Sequence, residues 1–126
     1  MNDQAAKRDN GKLRLSLVPM DIVEAVAVVR EYGDEKYGST DNWKQVEPQR
    51  YVDAAFRHFV AYLREPYGKD PESGIPHLYH LACNIAFLCS LEISRGTVPL
   101  PQDVQMTRRH PGDIAEKPFT FVGGEK

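Results

Sequence analysis

The chain has 126 residues, 41% hydrophobic and 27% charged, the size and balance of one globular domain able to bury a core of its own. Sixteen Lys and Arg against eighteen Asp and Glu leave a formal charge of -2. That excludes the broad basic footprint of a dedicated nucleic-acid-binding domain, and no direct nucleic-acid binding is expected. Cys83 and Cys89 lie six apart on one predicted helix and cannot face each other as a disulfide, so the chain reads as reduced and cytoplasmic. The polar start MNDQAAKRDNGK is expected to carry no secretory signal, and no apolar run approaches the roughly 18 residues of a membrane span.

In chain order, residues 1–12 are polar and predict a flexible N-terminal segment. Leu13 to Val18 alternate briefly before Pro19, which predicts a short extended piece. A first helix follows from Met20 or Asp21, with Asp21 and Glu24 at its positive end and Ile22, Val26 and Val29 on one side. Gly33 is one candidate stop, but the run Gly38-Ser39-Thr40-Asp41-Asn42 is the stronger breaker, so the helix is read through to Tyr37. A loop to Pro48 carries Asn42 and the only tryptophan, Trp43. A second helix spans about Gln49 to Arg64, with Val52, Phe56, Phe59 and Leu63 as its main apolar stripe. The turn-rich segment 66–74 leads to a third helix from about Ile75, with Pro76 in its first turn, to Arg95 before Gly96. Residues 97–126 carry four prolines and little periodicity and predict an irregular tail that wraps a partner subunit, with Phe119, Phe121 and Val122 as anchors or a short strand. The expected architecture is all-α: a helical domain over 13–96 between two irregular ends. Three helices make a thin core, and a homodimer or homotetramer with helices packed across a two-fold axis is the natural completion.

The third helix is apolar around most of its girth, yet it carries His77, His80 and Asn84 within roughly 60° of one another. Buried polar groups need partners, so this face is either a satisfied structural network or the wall of a site. Adding Cys83 would give a zinc reading, although the spacing is not that of a zinc finger. On the first helix Glu24, Glu31 and Glu35 fall within about 40°. Three carboxylates in a stripe suit Mg²⁺ or Mn²⁺, but the stripe also lies where a solvated face belongs, and the residues alone favour the solvated face. On the second helix Asp53 and Arg57 have the spacing of a surface ion pair, and His58 falls on the side of Tyr51, Ala55 and Tyr62. Lys12, Arg14 and Lys36 supply the cations that a metal-bound polyphosphate needs, and Trp43 is either a base-stacking or a packing residue. No phosphate-binding glycine loop, dinucleotide fingerprint or serine elbow is present, and no histidine is followed by aspartate.

These residues resemble a known family. Lys12, Arg14, Leu17-Val18-Pro19, Lys36-Tyr37, Asn42-Trp43, Arg57-His58, Asp70-Pro71-Glu72-Ser73-Gly74, His77, His80 and Asn84 follow one another as in the phage-type dATP/dGTP diphosphohydrolases, the MazG-like proteins also called MazZ. The likeness covers roughly residues 11–92. It implies a MazG-like helical fold and Mg²⁺- or Mn²⁺-dependent hydrolysis of a purine deoxynucleoside triphosphate to monophosphate and pyrophosphate. In phages that replace adenine with 2-aminoadenine, such an enzyme makes dGMP as a precursor, in the host cytoplasm. One departure stands out. MazG-type helices pair Glu-x-x-Glu with a later Glu-x-x-Asp, and here His80 and Asn84 occupy about the places of the later carboxylates. With those carboxylates missing, metal binding falls to Glu24, Glu31 and Glu35, helped by Asp53 or Asp70, and the resemblance implies catalysis by Glu31, Glu35 and Arg57, with Glu31 or Glu35 as the base. Lys12, Arg14, Lys36 and Arg57 neutralise the leaving pyrophosphate. Asn42, Trp43, His58, Asp70, His77, His80 and Asn84 complete the expected substrate contacts, Trp43, His58 and Asn84 at the base. Two other classes are a non-catalytic nucleotide sensor on the same fold and a small helical interaction module, whose only dense basic cluster is Arg108-Arg109-His110.

Overall fold

The computed structural model describes residues 11–106. The expectations for residues 1–10, for Phe119, Phe121 and Val122 and for Arg108 to His110 lie outside them. Three α-helices make up the described chain: α1, Met20–Tyr37; α2, Pro48–Arg64; and α3, His77–Arg95. Among the described residues there is no strand, only an isolated antiparallel bridge between Lys69 and Pro76. The all-α expectation is met.

Each helix ends where its chemistry dictates. α1 runs through Gly33 and stops at Gly38, whose φ of 69° sets a left-handed cap with its amide donating to the Asp34 carbonyl at 2.8 Å. α2 starts on Pro48, where a missing amide hydrogen costs nothing. α3 closes with a Schellman motif: Gly96, at φ 80°, donates to Ile93 and Thr97 donates to Glu92, both at 3.0 Å.

α3 is the middle layer. It packs against α2 on one side and α1 on the other, while α1 and α2 do not pack against each other. Small side chains sit at the crossings: Ala25 of α1, Ala55 of α2 and Cys83 of α3 are buried. A short connector locks the α2–α3 hairpin. Gly74 donates to the Asp70 carbonyl, Asp70 donates to the Ile75 carbonyl, and the Ile75 side chain is buried beneath them.

Four local expectations are corrected. Leu13–Val18 is not extended, because residues 15–17 form a 3₁₀ turn in which Leu17 donates to Arg14 and Val18 to Leu15. α3 begins at His77, since Ile75 and Pro76 belong to the connector. Asp53 makes no ion pair with Arg57. It accepts from Gln49 Nε2 at 2.9 Å instead. The stripe Val52, Phe56, Phe59, Leu63 is not the packed face of α2: Phe56 is 65% exposed and Leu63 61%. α2 presents Tyr51, Ala55, His58 and Tyr62 inward, because the small Ala55 admits close approach to α3 where a phenylalanine would not. α3 itself is buried only on its central line, with Leu78 and Ile85 exposed on its outer face.

The two kinds of glycine separate in a stability test. Gly33 lies mid-helix with open space where a Cβ would stand, whereas Gly96 needs its positive φ. Gly33→Ala is expected to stabilise by about 0.5–1 kcal/mol and Gly96→Ala to destabilise by about 1 kcal/mol in urea unfolding.

Candidate active site

Because α1 and α2 are held apart by α3, a cleft of about 810 Å³ opens between them with α3 as its floor. α1 lines it with Arg30, Tyr32, Gly33 and Lys36, and the following turn with Asn42 and Trp43. α2 contributes Arg50, Tyr51, Arg57 and His58, and the connector Asp70 and Glu72. The floor carries His77, His80, Cys83, Asn84 and Phe87, the i, i+3, i+7 face of one helix.

The cleft has two chemically different ends. At the C-terminal end of the floor, Trp43 stacks on Phe87 with ring centroids 4.5 Å apart and planes within 16°, and Tyr51 tilts against Phe87 at 5.0 Å. The Tyr51 hydroxyl donates to the Trp43 carbonyl at 2.9 Å. The Arg30 guanidinium sits 5.8 and 5.4 Å from the Trp43 and Phe87 rings and donates to the Thr40 carbonyl, fixing the turn against α1.

At the N-terminal end three histidines meet. His58 Nδ1 lies 2.9 Å from His77 Nδ1, and the His58 ring stacks on His80 at 4.6 Å. Ser73 Oγ is 2.7 Å from His80 Nε2, and the Ser73 amide donates to Asp70 Oδ2 at 2.9 Å, so one serine orients both a ring and a carboxylate. Burial, followed by the neighbouring His80 and His77, pushes the His58 pKa down to about 4. Burial lowers His80 too, against the opposing charge of Asp70. Both imidazoles are therefore neutral at neutral pH, with a ring nitrogen able to accept a proton or a cation. Burial would raise Asp70, but the Ser73 amide and hydroxyl and the nearby His80 and His58 hold it below its ordinary value.

Between the ends, Lys36 pairs with Glu72 and ties α1 to the connector across the cleft. The Lys36 bond and the Tyr32 hydroxyl pull the Glu72 carboxyl down, while burial and Glu72 raise Tyr32. The Asn84 amide donates to the His80 carbonyl at 2.8 Å.

Ligand atoms of His58, Asp70 and His77 lie within 4.8 Å of one another, each on a half-buried residue from a different segment. Two imidazole nitrogens and one carboxylate oxygen form a donor set that fits a divalent cation. Cys83 is no part of this group, and burial pushes its thiol up to about 11, so it is a poor thiolate donor.

Nine of the residues singled out in the sequence come together on the cleft wall: Lys36, Asn42, Trp43, Arg57, His58, Asp70, His77, His80 and Asn84. Glu24, Glu31, Glu35 and Asp53 do not; they are exposed and line no part of it. Glu31 and Glu35 each fall about 160° around α1 from Gly33, which faces the cleft. Lys12 and Arg14 are exposed and likewise off the wall. The sequence reading missed Arg30, Tyr32, Arg50, Tyr51 and Phe87 and gave Glu72 no role. Helical spacing held the signal, since Phe87 lies three past Asn84 and Arg50 seven before Arg57.

Phe87 is the keystone of the aromatic end. Phe87→Ala is expected to cost about 2 kcal/mol in chemical denaturation and to shift the emission of Trp43, the only tryptophan.

Comparison with known proteins bears on this cleft. Residues 2–98 match a family described as dATP/dGTP diphosphohydrolase, N-terminal. A protein of Salmonella phage PMBT28 named dATP/dGTP diphosphohydrolase is 37% identical over 91 residues, which cover 72% of this chain and 31% of that relative. The chain thus spans about a third of the length of the curated relative it matches. No solved structure matches.

Proposed function

Since the chain belongs to the dATP/dGTP diphosphohydrolase, N-terminal, family, we propose that the cleft binds a purine deoxynucleoside triphosphate and hydrolyses it to monophosphate and pyrophosphate with a divalent cation. The observation that carries the reading is the polarity of the cleft. From His77 to Phe87 the floor extends about 15 Å, at 1.5 Å per residue, from a cation-binding cluster to an aromatic corner. An elongated ligand with phosphates at one end and a flat base at the other matches that layout, and the volume lies within the range of small-molecule sites.

His58, Asp70 and His77 would hold the cation. Once bound, it would supply Lewis-acid polarisation of a phosphoryl oxygen. Arg57 and Lys36 line the phosphate side and neutralise charge on the departing pyrophosphate, while Arg50 stands beside Tyr51 toward the aromatic end. His80, its Nε2 held by Ser73 Oγ, accepts the proton of the attacking water on its other ring nitrogen, Nδ1, as the water adds to the α-phosphorus and the bond to the bridging oxygen breaks. Trp43 and Phe87 wall the base, with Asn42 and Asn84 as amide partners for its edge. This arrangement moves the base role from Glu31 and Glu35, and the cation from the stripe of Glu24, Glu31 and Glu35 with Asp53, to groups on the cleft wall. A phage enzyme of this kind would act on the nucleotide pool of the host cytoplasm. None of the described helices is long and apolar enough to cross a membrane.

The assay incubates the protein with each deoxy- and ribonucleoside triphosphate plus Mn²⁺, Mg²⁺ or EDTA and separates the products. Cation-dependent release of pyrophosphate from dGTP or dATP is expected. No turnover by folded protein would favour a non-catalytic nucleotide sensor. Arg57→Ala is expected to lower kcat about 100-fold. Glu31→Gln is expected to leave it within about twofold, and its loss would return the chemistry to the α1 carboxylates.

The proposed assembly is a homodimer through α2. Its apolar stripe Val52, Phe56, Phe59, Leu63 repeats at the 4-3-4 spacing of a coiled-coil seam, with Phe56, Phe59 and Leu63 exposed, and Leu78 and Ile85 of α3 are exposed as well. Wild-type protein is expected to sediment as a dimer and Phe56→Asp as a monomer.

A further inference from the structure

We propose that the centre formed by His58, Asp70 and His77 selects a transition-series divalent ion of the Mn²⁺, Co²⁺ or Zn²⁺ class over Mg²⁺. The inference deepens the reading of this cluster as the cation site and does not depend on which nucleotide is cleaved. Two of the three converging donors are imidazole nitrogens, with the Nδ1 atoms of His58 and His77 2.9 Å apart. Mg²⁺ takes oxygen ligands, parts reluctantly with water and is held through carboxylates and phosphates, whereas imidazole suits borderline transition ions. The oxygen donors that would convert the site to a Mg²⁺ cage are placed elsewhere. Glu24, Glu31, Glu35 and Asp53 are off the cleft wall, and Glu72 is engaged by Lys36. Only Asp70 supplies a carboxylate, and one of its oxygens already accepts the Ser73 amide.

The surroundings hold these donors in place. His58 is stacked by His80, His80 is bonded to Ser73, and Ser73 is bonded to Asp70, so one chain of contacts links two of the three ligands. Such outer partners normally contribute 10- to 100-fold to metal affinity. Ser73 and His80 are therefore positioning residues of the centre.

The test is Co²⁺ binding to the 126-residue chain without nucleotide, followed by visible absorption and equilibrium dialysis. One Co²⁺ per chain is expected, displaced by Zn²⁺ at comparable concentration and by Mn²⁺ only in excess, and retained in about a 100-fold excess of Mg²⁺. His77→Gln is expected to weaken binding at least about 10-fold, and Ser73→Ala about 10-fold with an altered spectrum, both at unchanged circular dichroism. Displacement by equimolar Mg²⁺, or wild-type Co²⁺ binding by folded His77→Gln, would overturn the proposal. Should His77→Gln unfold, the Mg²⁺ competition on wild-type protein decides by itself. Protein that binds Co²⁺ as described yet cleaves no nucleotide retains this centre and loses the hydrolase reading. Turnover supported by Mg²⁺ alone, with no Co²⁺ bound, retains hydrolysis and overturns this centre.

Discussion

α3 packs between α1 and α2, and those two helices never meet. That arrangement sets both the strengths and the costs of the fold. A three-helix unit with one central helix buries little: Ala25, Ala55, Ile75 and Cys83 are its buried apolar residues, and many large apolar side chains stay exposed. In return, the gap between the outer helices is a cleft floored by the helix that carries His77, His80 and Asn84. The polar groups that would burden a fully packed core lie at a wall where they can reach a ligand. Small residues at the crossings, Ala55 above all, keep the outer helices close to α3, and the outer face of α2 keeps Phe56, Phe59 and Leu63 exposed, the seam proposed for a second copy.

The histidine end of the cleft depends on the connector as much as on the helices. Its turn is held by Asp70, Gly74 and Ile75 through backbone bonds, and Ser73 relays that order to His80 and Asp70. Desolvation keeps His58 and His80 neutral, so their ring nitrogens act as lone-pair donors where charged rings would repel a cation. The Lys36–Glu72 pair completes the rim by joining the connector to α1. Positive charge from Arg57, beside His58 on the opposite wall, makes the same space suited to phosphates.

Much of this was legible in the sequence because helix ends and helix faces are local. Gly38 and Gly96 stopped the helices where their backbone freedom required, and the His77, His80, Asn84 face followed from 3.6-residue geometry. The placement of His58 beside Tyr51, Ala55 and Tyr62 was read correctly for the same reason. What failed was the choice between faces. The heptad stripe of α2 is its most apolar side, yet the packed side is decided by which residues are small enough at the crossing, a tertiary property. The α1 carboxylates show the same gap: their mutual alignment was right, but the cleft-facing side is marked by Gly33 and Lys36. The approach of Asp70 to two helical histidines depends on the fold of a loop, which no helical period encodes.

Whether the phosphates of a nucleotide meet the cation at the histidine end can be measured directly. The ³¹P relaxation of a non-hydrolysable dGTP analogue, bound to the protein with Mn²⁺, reports the distance from the ion to each phosphorus. Strong broadening of all three phosphate lines, abolished in His77→Gln while the analogue still binds, is the expected result. Phosphates that bind without Mn²⁺-dependent broadening, or broadening that persists in His77→Gln and disappears in Glu31→Gln, would contradict it and place the chemistry on the α1 carboxylates.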